Sequence, residues 1–404
     1  MIIFMGDLLT IDMLKENLEP LIERCNLFKG KELEVVLIAN PKAGGFTNLK
    51  RIQKHKEAFT HHNDLVKSKK RVVKKLNFTL ITTQFAGHAA QEAQNIISNI
   101  VKQKELAKEH LFIIASGDGT FLEVQTAIAK KSFANKNHKK ILMEKVAVLR
   151  LPFGTGNDGS DDRELINSLS RLTSPAHFAY QKSVKVYYEG LNPEEIFKLE
   201  GEDLRKKYDT YNSLDTLAPW YAFNIASVGV DAYITYMTNK TKKIITGDFY
   251  RLWVDLAALF YQFRFPVKKM SIELYDKKGK LITSFNRKLM FALLGVSGYR
   301  QYGSNHKILP CEENFCALHD MSFYKKILRK NSFNNGLHYK KSWTTFGTAQ
   351  KIKIDTNANI LIQMDGEVHL LQAKQFPLIM ELTDPVIKII ECDDQKLYRG
   401  ADIL

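Results

Sequence analysis

Leu111-Phe-Ile-Ile-Ala-Ser-Gly-Asp-Gly-Thr120 and Val148-Leu-Arg-Leu-Pro-Phe-Gly-Thr-Gly-Asn-Asp158 share one design: an apolar run that ends in a small-residue turn carrying a carboxylate. The apolar runs read as buried strands, and the first turn leaves no bulky side chain beside Asp118. Glycine removes the Cβ barrier and permits positive φ, so backbone can close on a phosphate there. The arrangement recurs upstream. Glu34-Val-Val-Leu-Ile-Ala39 runs into Asn40-Pro-Lys-Ala-Gly-Gly45, and Phe78-Thr-Leu-Ile-Thr-Thr83 is followed by Gly87-His-Ala. Apolar strands alternating with helical stretches predict a parallel sheet covered on both faces. Ligands of such sheets bind at the strand C-terminal ends, where the loops 40–45, 83–87, 116–120 and 152–158 all fall.

Beyond about residue 175 the pattern becomes one of short alternating segments, such as Ser183-Val-Lys-Val-Tyr-Tyr188, Lys269-Met-Ser-Ile-Glu-Leu-Tyr275 and Lys351-Ile-Lys-Ile-Asp355, with turns such as Asp276-Lys-Lys-Gly279. These are antiparallel strand signals. The predicted fold class is therefore α/β plus β: an open parallel, Rossmann-like α/β nucleotide domain followed by a mostly antiparallel β-sandwich. The expected divisions are a helical extension over 1–32, the α/β domain over 33–172, the β-rich domain over 173–372, and a C-terminal segment over 373–404 packing back on the core. An acidic stretch over 191–215 reads as a surface insertion. The apolar stripe of residues 248–264 reads as a core helix.

Composition narrows the setting. Four cysteines, Cys25, Cys311, Cys316 and Cys392, are too scattered for a disulfide framework or a zinc knuckle. A reduced, cytoplasmic chain is expected, without a signal peptide or a membrane-spanning run. With 59 basic and 44 acidic residues the net charge is +15, which attracts polyanions such as nucleotides or an anionic membrane face.

Chemistry concentrates at the turns. Asp118, between Gly117 and Gly119, suits a Mg²⁺ bridging phosphate oxygens; its plainer role is to cap the helix that follows. Asn40 and Gly44 open a loop that could cradle phosphates, although Asn-Pro also begins ordinary turns. Gly154 and Thr155 repeat the small-residue logic, while Asn157 and Asp158 are either ligand-facing or capping. Met364-Asp-Gly-Glu367 has the form of a hairpin turn, and a carboxylate there could equally act as a general base. No P-loop, GxSxG elbow or HExxH pattern occurs.

These motifs, in this order, resemble the catalytic domain of the diacylglycerol kinase-like lipid kinases, which includes soluble bacterial diacylglycerol kinases and, more distantly, sphingosine and ceramide kinases. Asn40-Pro-Lys-Ala-Gly-Gly45 resembles the family's Asn-Pro-x-Ser-Gly element. Ser116-Gly-Asp-Gly-Thr-Phe-Leu-Glu123 resembles its Gly-Gly-Asp-Gly-Thr signature and following Glu. Pro152-Phe-Gly-Thr-Gly-Asn-Asp158 matches the second signature, Asn224-Ile-Ala-Ser-Val-Gly-Val-Asp231 the opening of the lipid-side domain, and Asp365-Gly-Glu367 the late carboxylate motif. The resemblance covers roughly residues 33–370.

It implies an ATP- and Mg²⁺-dependent lipid kinase, with ATP in the cleft between domains and a lipid hydroxyl, most simply that of diacylglycerol, attacking the γ-phosphate. The nucleotide contacts implied are Asn40, Gly44, Thr83, Ser116, Gly117, Asp118, Gly119, Thr120, Glu123, Gly154, Thr155, Asn157 and Asp158. Glu367 is the preferred base, with Asp118 as competitor and otherwise the Mg²⁺-ATP contact. The partners implied are a lipid substrate and an anionic inner membrane face, with no nucleic acid and a homodimer as the assembly considered. Asn314-Phe315-Cys316 stands where bacterial relatives carry Asp-Asp-Gly for a structural Mg²⁺, so that site is expected to be lost unless Glu312 or Glu313 substitutes. Two other readings are a soluble kinase of the NAD kinase type, which the Pro152–Asp158 element disfavours, and a catalytically silent binding protein.

Overall fold

The computed structural model describes residues 9–102, 108–154, 156–189, 218–242, 267–302, 306–333 and 335–393, with isolated positions between 252 and 265. The insertion over 191–215, Thr155 and most of the 248–264 stripe lie outside the described residues.

The first elements are α1 (Ile11–Glu23), β1 (Glu32–Ala39), α2 (Gly44–Thr47), α3 (Leu49–Val66), β2 (Lys75–Thr82), α4 (His88–Lys102), β3 (Lys108–Ser116), α5 (Asp118–Ala134), α6 (Lys136–Lys145), β4 (Val146–Pro152), α7 (Leu165–Thr173) and β5 (Ala176–Gln181). The chain continues through β6 (Val184–Tyr188), β7 (Trp220–Ala222), β8 (Ile225–Gly229), α8 (Val230–Lys242), β9 (Lys269–Tyr275), β10 (Leu281–Gly295), β11 (Arg300–Tyr302), β12 (His306–Leu309) and β13 (Phe315–His319). It ends with α9 (Phe323–Arg329), β14 (Thr344–Gly347), β15 (Lys351–Asp355), β16 (Ile360–Met364), β17 (Glu367–Leu371), β18 (Leu378–Leu382) and β19 (Ile387–Cys392).

Two compact units result. The first runs to Gln181 and takes in the later stretch from Pro385; the second spans Lys182–Asp384. The sequence reading placed these divisions after 172 and 372. The difference is physical: β5 pairs antiparallel with β19 in the first unit, whereas β18 pairs with β6 and β15 in the second.

The first unit is built on a sheet of order β2-β1-β3-β4-β19-β5, in which only the β19–β5 pairing is antiparallel. Both faces of β1, β3 and β4 are buried, which is why these strands are apolar throughout rather than alternating. Leu33, Val35, Leu37, Leu111, Ile113, Leu149 and Leu151 share one core cluster with Leu14, Leu18 and Leu21 of α1 and with residues of α3 and α7. The N-terminal helix is thus part of this core. In this strand order the direction of winding reverses between β1 and β3, so the loops after those two strands flank a switch point.

The second unit is a large antiparallel sheet that curls around a core of Val186, Val228, Ile272, Leu294, Ile352, Ile362 and Met380. Strand β10 makes the curl. Its first half, largely exposed, pairs with β9, and its buried second half pairs with β8 and β13. The apolar segment Trp220–Ala226 reads as one strand, yet the structure breaks it into β7 and β8 at Phe223–Asn224.

Candidate active site

In the first unit three loops meet at the C-terminal ends of β1, β3 and β4. Gly45 donates its N–H to the Phe153 carbonyl at 2.7 Å, and Phe153 donates to Ser116 O at 3.0 Å. Asn40 donates to Ala115 O at 3.2 Å. Arg51, on α3, donates to the Gly154 carbonyl and so ties the first loop to the third. The glycines are required by contact. A Cβ on Gly154 would run into the Gly117 Cα, and one on Gly117 would lie 3.2 Å from the Gly154 Cα. Backbone therefore packs on backbone where the two signatures touch.

Asp118 is the first residue of α5, with Gly117 as its cap. Its Oδ1 accepts the Gly159 N–H at 2.7 Å. A Cβ on Gly156 would stand 2.8 Å from Asp118 Oδ2, and one on Gly159 3.3 Å from Oδ1. The carboxylate thus sits in a cradle kept open by absent side chains, at the helix end that favours phosphate. Ser116 Oγ donates to Thr120 Oγ1 at 2.7 Å, so both hydroxyls brace the turn.

Other residues of the motif act on protein. Asn157 adopts φ 57°, a region asparagine tolerates, and donates to the Pro152 carbonyl. Among the described residues its buried Oδ1 has no hydrogen-bond partner. Asp158 accepts from Arg163 at 2.6 Å. Glu123 takes the Gly87 N–H at 2.9 Å and the Ala90 N–H at 3.4 Å, capping the start of α4. Burial pushes its carboxyl upward, against those N–H groups. Thr83, half-buried, donates its backbone N–H to Ala39 O, and Asn40 Oδ1 accepts from Lys42 N. Gly44 begins α2.

The sequence reading missed two features. His55, which is buried, packs its ring against that of Phe153, 4.4 Å between centroids and inclined by 51°; burial and then the Arg51 charge lower its pKa to about 4. Arg150, buried in β4, pairs with Asp161 at 2.6 Å, and the Asp161 carbonyl accepts from buried Arg171. This network fixes the far end of the 152–161 loop. One charge inside the apolar run Val148-Leu-Arg-Leu was a signal for it, since such a charge demands a buried partner. Which partner only the fold reveals.

In the second unit Asp365 and Gly366 form the β16–β17 turn with φ 47° and 101°. The Asp365 carboxylate accepts the N–H groups of Phe223, Asn224 and Ile225. Those amides leave the ladder to meet it, which is why β7 and β8 are separate strands. Behind the turn, Gln363 donates to Ser227 and to Asp231, each at 3.1 Å, and accepts from Gly366 N at 3.0 Å. Asn239 donates to Gly366 O at 2.9 Å. Glu367, the first residue of β17, therefore leaves a turn locked from three sides.

Asn314 is buried and bonds the Ala349 carbonyl and N–H, each at 2.9 Å, while Phe315 and Cys316 are core residues of β13. The neighbouring Glu313 hydrogen-bonds Cys311 and Tyr339; its bond raises the Tyr339 hydroxyl to about 12, while burial first and then Glu313 push the Cys311 thiol up to about 12. Among the described residues no group of three or more His, Cys, Asp or Glu could hold a metal ion. Mg²⁺ held by one carboxylate together with substrate phosphates needs no such group.

Residues 34–174 match the family model of the diacylglycerol kinase catalytic domain. No curated protein matches the chain significantly. Among solved structures, two of a proposed diacylglycerol kinase from Bacillus anthracis str. Sterne are similar in fold, with TM-scores of 0.53 and 0.52 at 14% identity, covering 88% of this chain and 96% of that one. The resemblance read from the motifs is borne out. Residues 34–174 are thus similar to the diacylglycerol kinase catalytic domain, and the match supports a kinase-type function.

Proposed function

We propose that the chain is an ATP-dependent lipid kinase that phosphorylates diacylglycerol or a related lipid alcohol. The observation that carries this reading is the Asp118 carboxylate at the N-terminus of α5, where glycine backbone of both signatures packs with no Cβ in between. The residues present fit Mg²⁺-ATP. Asp118 would hold the metal, which when bound draws charge from the phosphate oxygens. The first turn of α5 favours the phosphates themselves. Asn157 Oδ1, a buried acceptor, is available to a ligand N–H or O–H.

Glu367 is assigned as general base. It takes the proton of the lipid hydroxyl as that oxygen bonds to the γ-phosphorus and the bridge to the β-phosphate breaks, releasing ADP. No helix among the described residues is long and apolar enough to cross a membrane. The reading takes the protein to be cytoplasmic and to meet its lipid peripherally at the inner membrane face.

The test is incubation with labelled ATP, Mg²⁺ and mixed micelles of candidate lipids. Label should appear in a lipid. Transfer to NAD instead would overturn the reading, and binding without transfer would favour a silent protein. Full activity of Glu367→Gln alongside an inactive Asp118→Asn would move the base to Asp118.

A further inference from the structure

Helix α9 is inside out. Its lysine, Lys326, is only 6% exposed and pairs with Asp320 at 2.9 Å. Its apolar side chains face outward: Phe323 at 51%, Tyr324 at 72% and Leu328 at 64%, with Ile327 also exposed. Leu337, in the following turn, is exposed at 61%. Soluble proteins seldom hold so many large apolar groups together in water without a use.

The segment is anchored rather than loose. Arg329 lies 5.0 Å over the Trp343 ring. Phe333 stacks on buried His338 at 4.4 Å, and His338 bonds the Ile308 carbonyl at 3.0 Å. Leu337 N donates to Ser332 O, and Thr344 holds the His338 carbonyl. The exposed face is thus held outward by the fold.

Charge identifies its occupant. Residues 321–350 contain six basic residues, Lys325, Lys326, Arg329, Lys330, Lys340 and Lys341, and no acidic one. Lys325, Lys340 and Lys341 are exposed. Apolar and aromatic side chains ringed by cations match the acyl boundary and phosphates of an anionic bilayer. A second copy of the same face would bring like charges together.

We propose that α9 and the 335–341 turn form the membrane-docking surface, with Phe323, Tyr324, Leu328 and Leu337 entering the lipid interface and Lys325, Lys340 and Lys341 on lipid phosphates. The proposal deepens the lipid-kinase reading and rests on it for its purpose, but its test uses no phosphoryl transfer, so the two can fail separately. Flotation of the full chain with phosphatidylglycerol–phosphatidylcholine vesicles should show binding that weakens roughly tenfold or more in a Phe323→Ser, Tyr324→Ser, Leu328→Ser triple variant. The melting temperature of that variant should be unchanged, since all three side chains are exposed. Replacing Lys325, Lys340 and Lys341 by Glu should also weaken binding and remove most of its salt dependence. The emission of Tyr324→Trp should be quenched by vesicles with brominated acyl chains. Unaltered binding of the triple variant, a wild type that ignores these vesicles, or an unquenched Trp on bound protein each overturns the proposal. So does a triple variant whose effect is to dissociate a dimer.

Discussion

Two of the three Asp-Gly pairs, Asp118-Gly119 in the first unit and Asp365-Gly366 in the second, are put to opposite uses. Asp118-Gly119 opens α5, and around its carboxylate the structure places glycines 156 and 159. Asp365-Gly366 turns a hairpin, and its carboxylate is spent on the amides of Phe223, Asn224 and Ile225. The first carboxylate accepts one backbone N–H, that of Gly159, and lies against glycines whose missing side chains make room for it. The second is closed by backbone donors and serves architecture, while its neighbour Glu367 carries the chemistry proposed for that turn. The lesson is that an Asp-Gly dipeptide has no function of its own; the donors that reach it decide.

The strongest way to break this comparison is exchange of charge. Asp118→Asn should lower phosphoryl transfer by ~10³-fold with little change in melting temperature. If activity persists and stability falls instead, Asp118 is the structural member of the pair. Asp365→Ala should do the reverse, destabilising the fold by about 3 kcal/mol in denaturant titration because three amides lose a charged acceptor. A neutral result there would remove the contrast.

A third measurement sharpens the first region. His55 is held near 4 by burial, against an ordinary 6.5. The unfolded chain binds the proton first, so stability falls as pH drops from about 6.5 to about 4 and levels off below, by at most about 3 kcal/mol. Thermal melts across that range should show the decline, and His55→Phe should lessen it, the buried imidazoles of His62, His110 and His338 contributing to the remainder. The smallest effect belongs to the second turn. Gly366 has φ 101° and open space around its Cβ position, so Gly366→Ala should cost only about 1 kcal/mol, from backbone strain alone.

Much of the first unit was legible because β1, β3 and β4 are covered on both faces and advertise it as unbroken apolar runs ending in glycine. The second unit was legible only in outline. Strands β6, β9 and β15 alternate cleanly, but β8 and β16 are buried throughout, β10 serves both halves of the sheet, and the division of Trp220–Ala226 depends on a carboxylate far along the chain. At the site, glycines 117 and 154 were visible as residues, but not that they touch. Glu123 reads as a nucleotide contact, yet it caps α4, since sequence position does not reveal which way a helix side chain points.

By itself the amino-acid sequence determined the order of the motifs, the small-residue turns around Asp118 and the resemblance of residues 34–174 to a kinase catalytic domain, because steric freedom and strand burial are written locally. Only the tertiary structure decided that β19 returns to the first sheet, that Arg150 meets Asp161, that Asp365 is closed by three amides and that α9 shows its apolar face to solvent. Those outcomes depend on partners distant in sequence, and the free energy of burying or pairing a group is set by the neighbours that arrive.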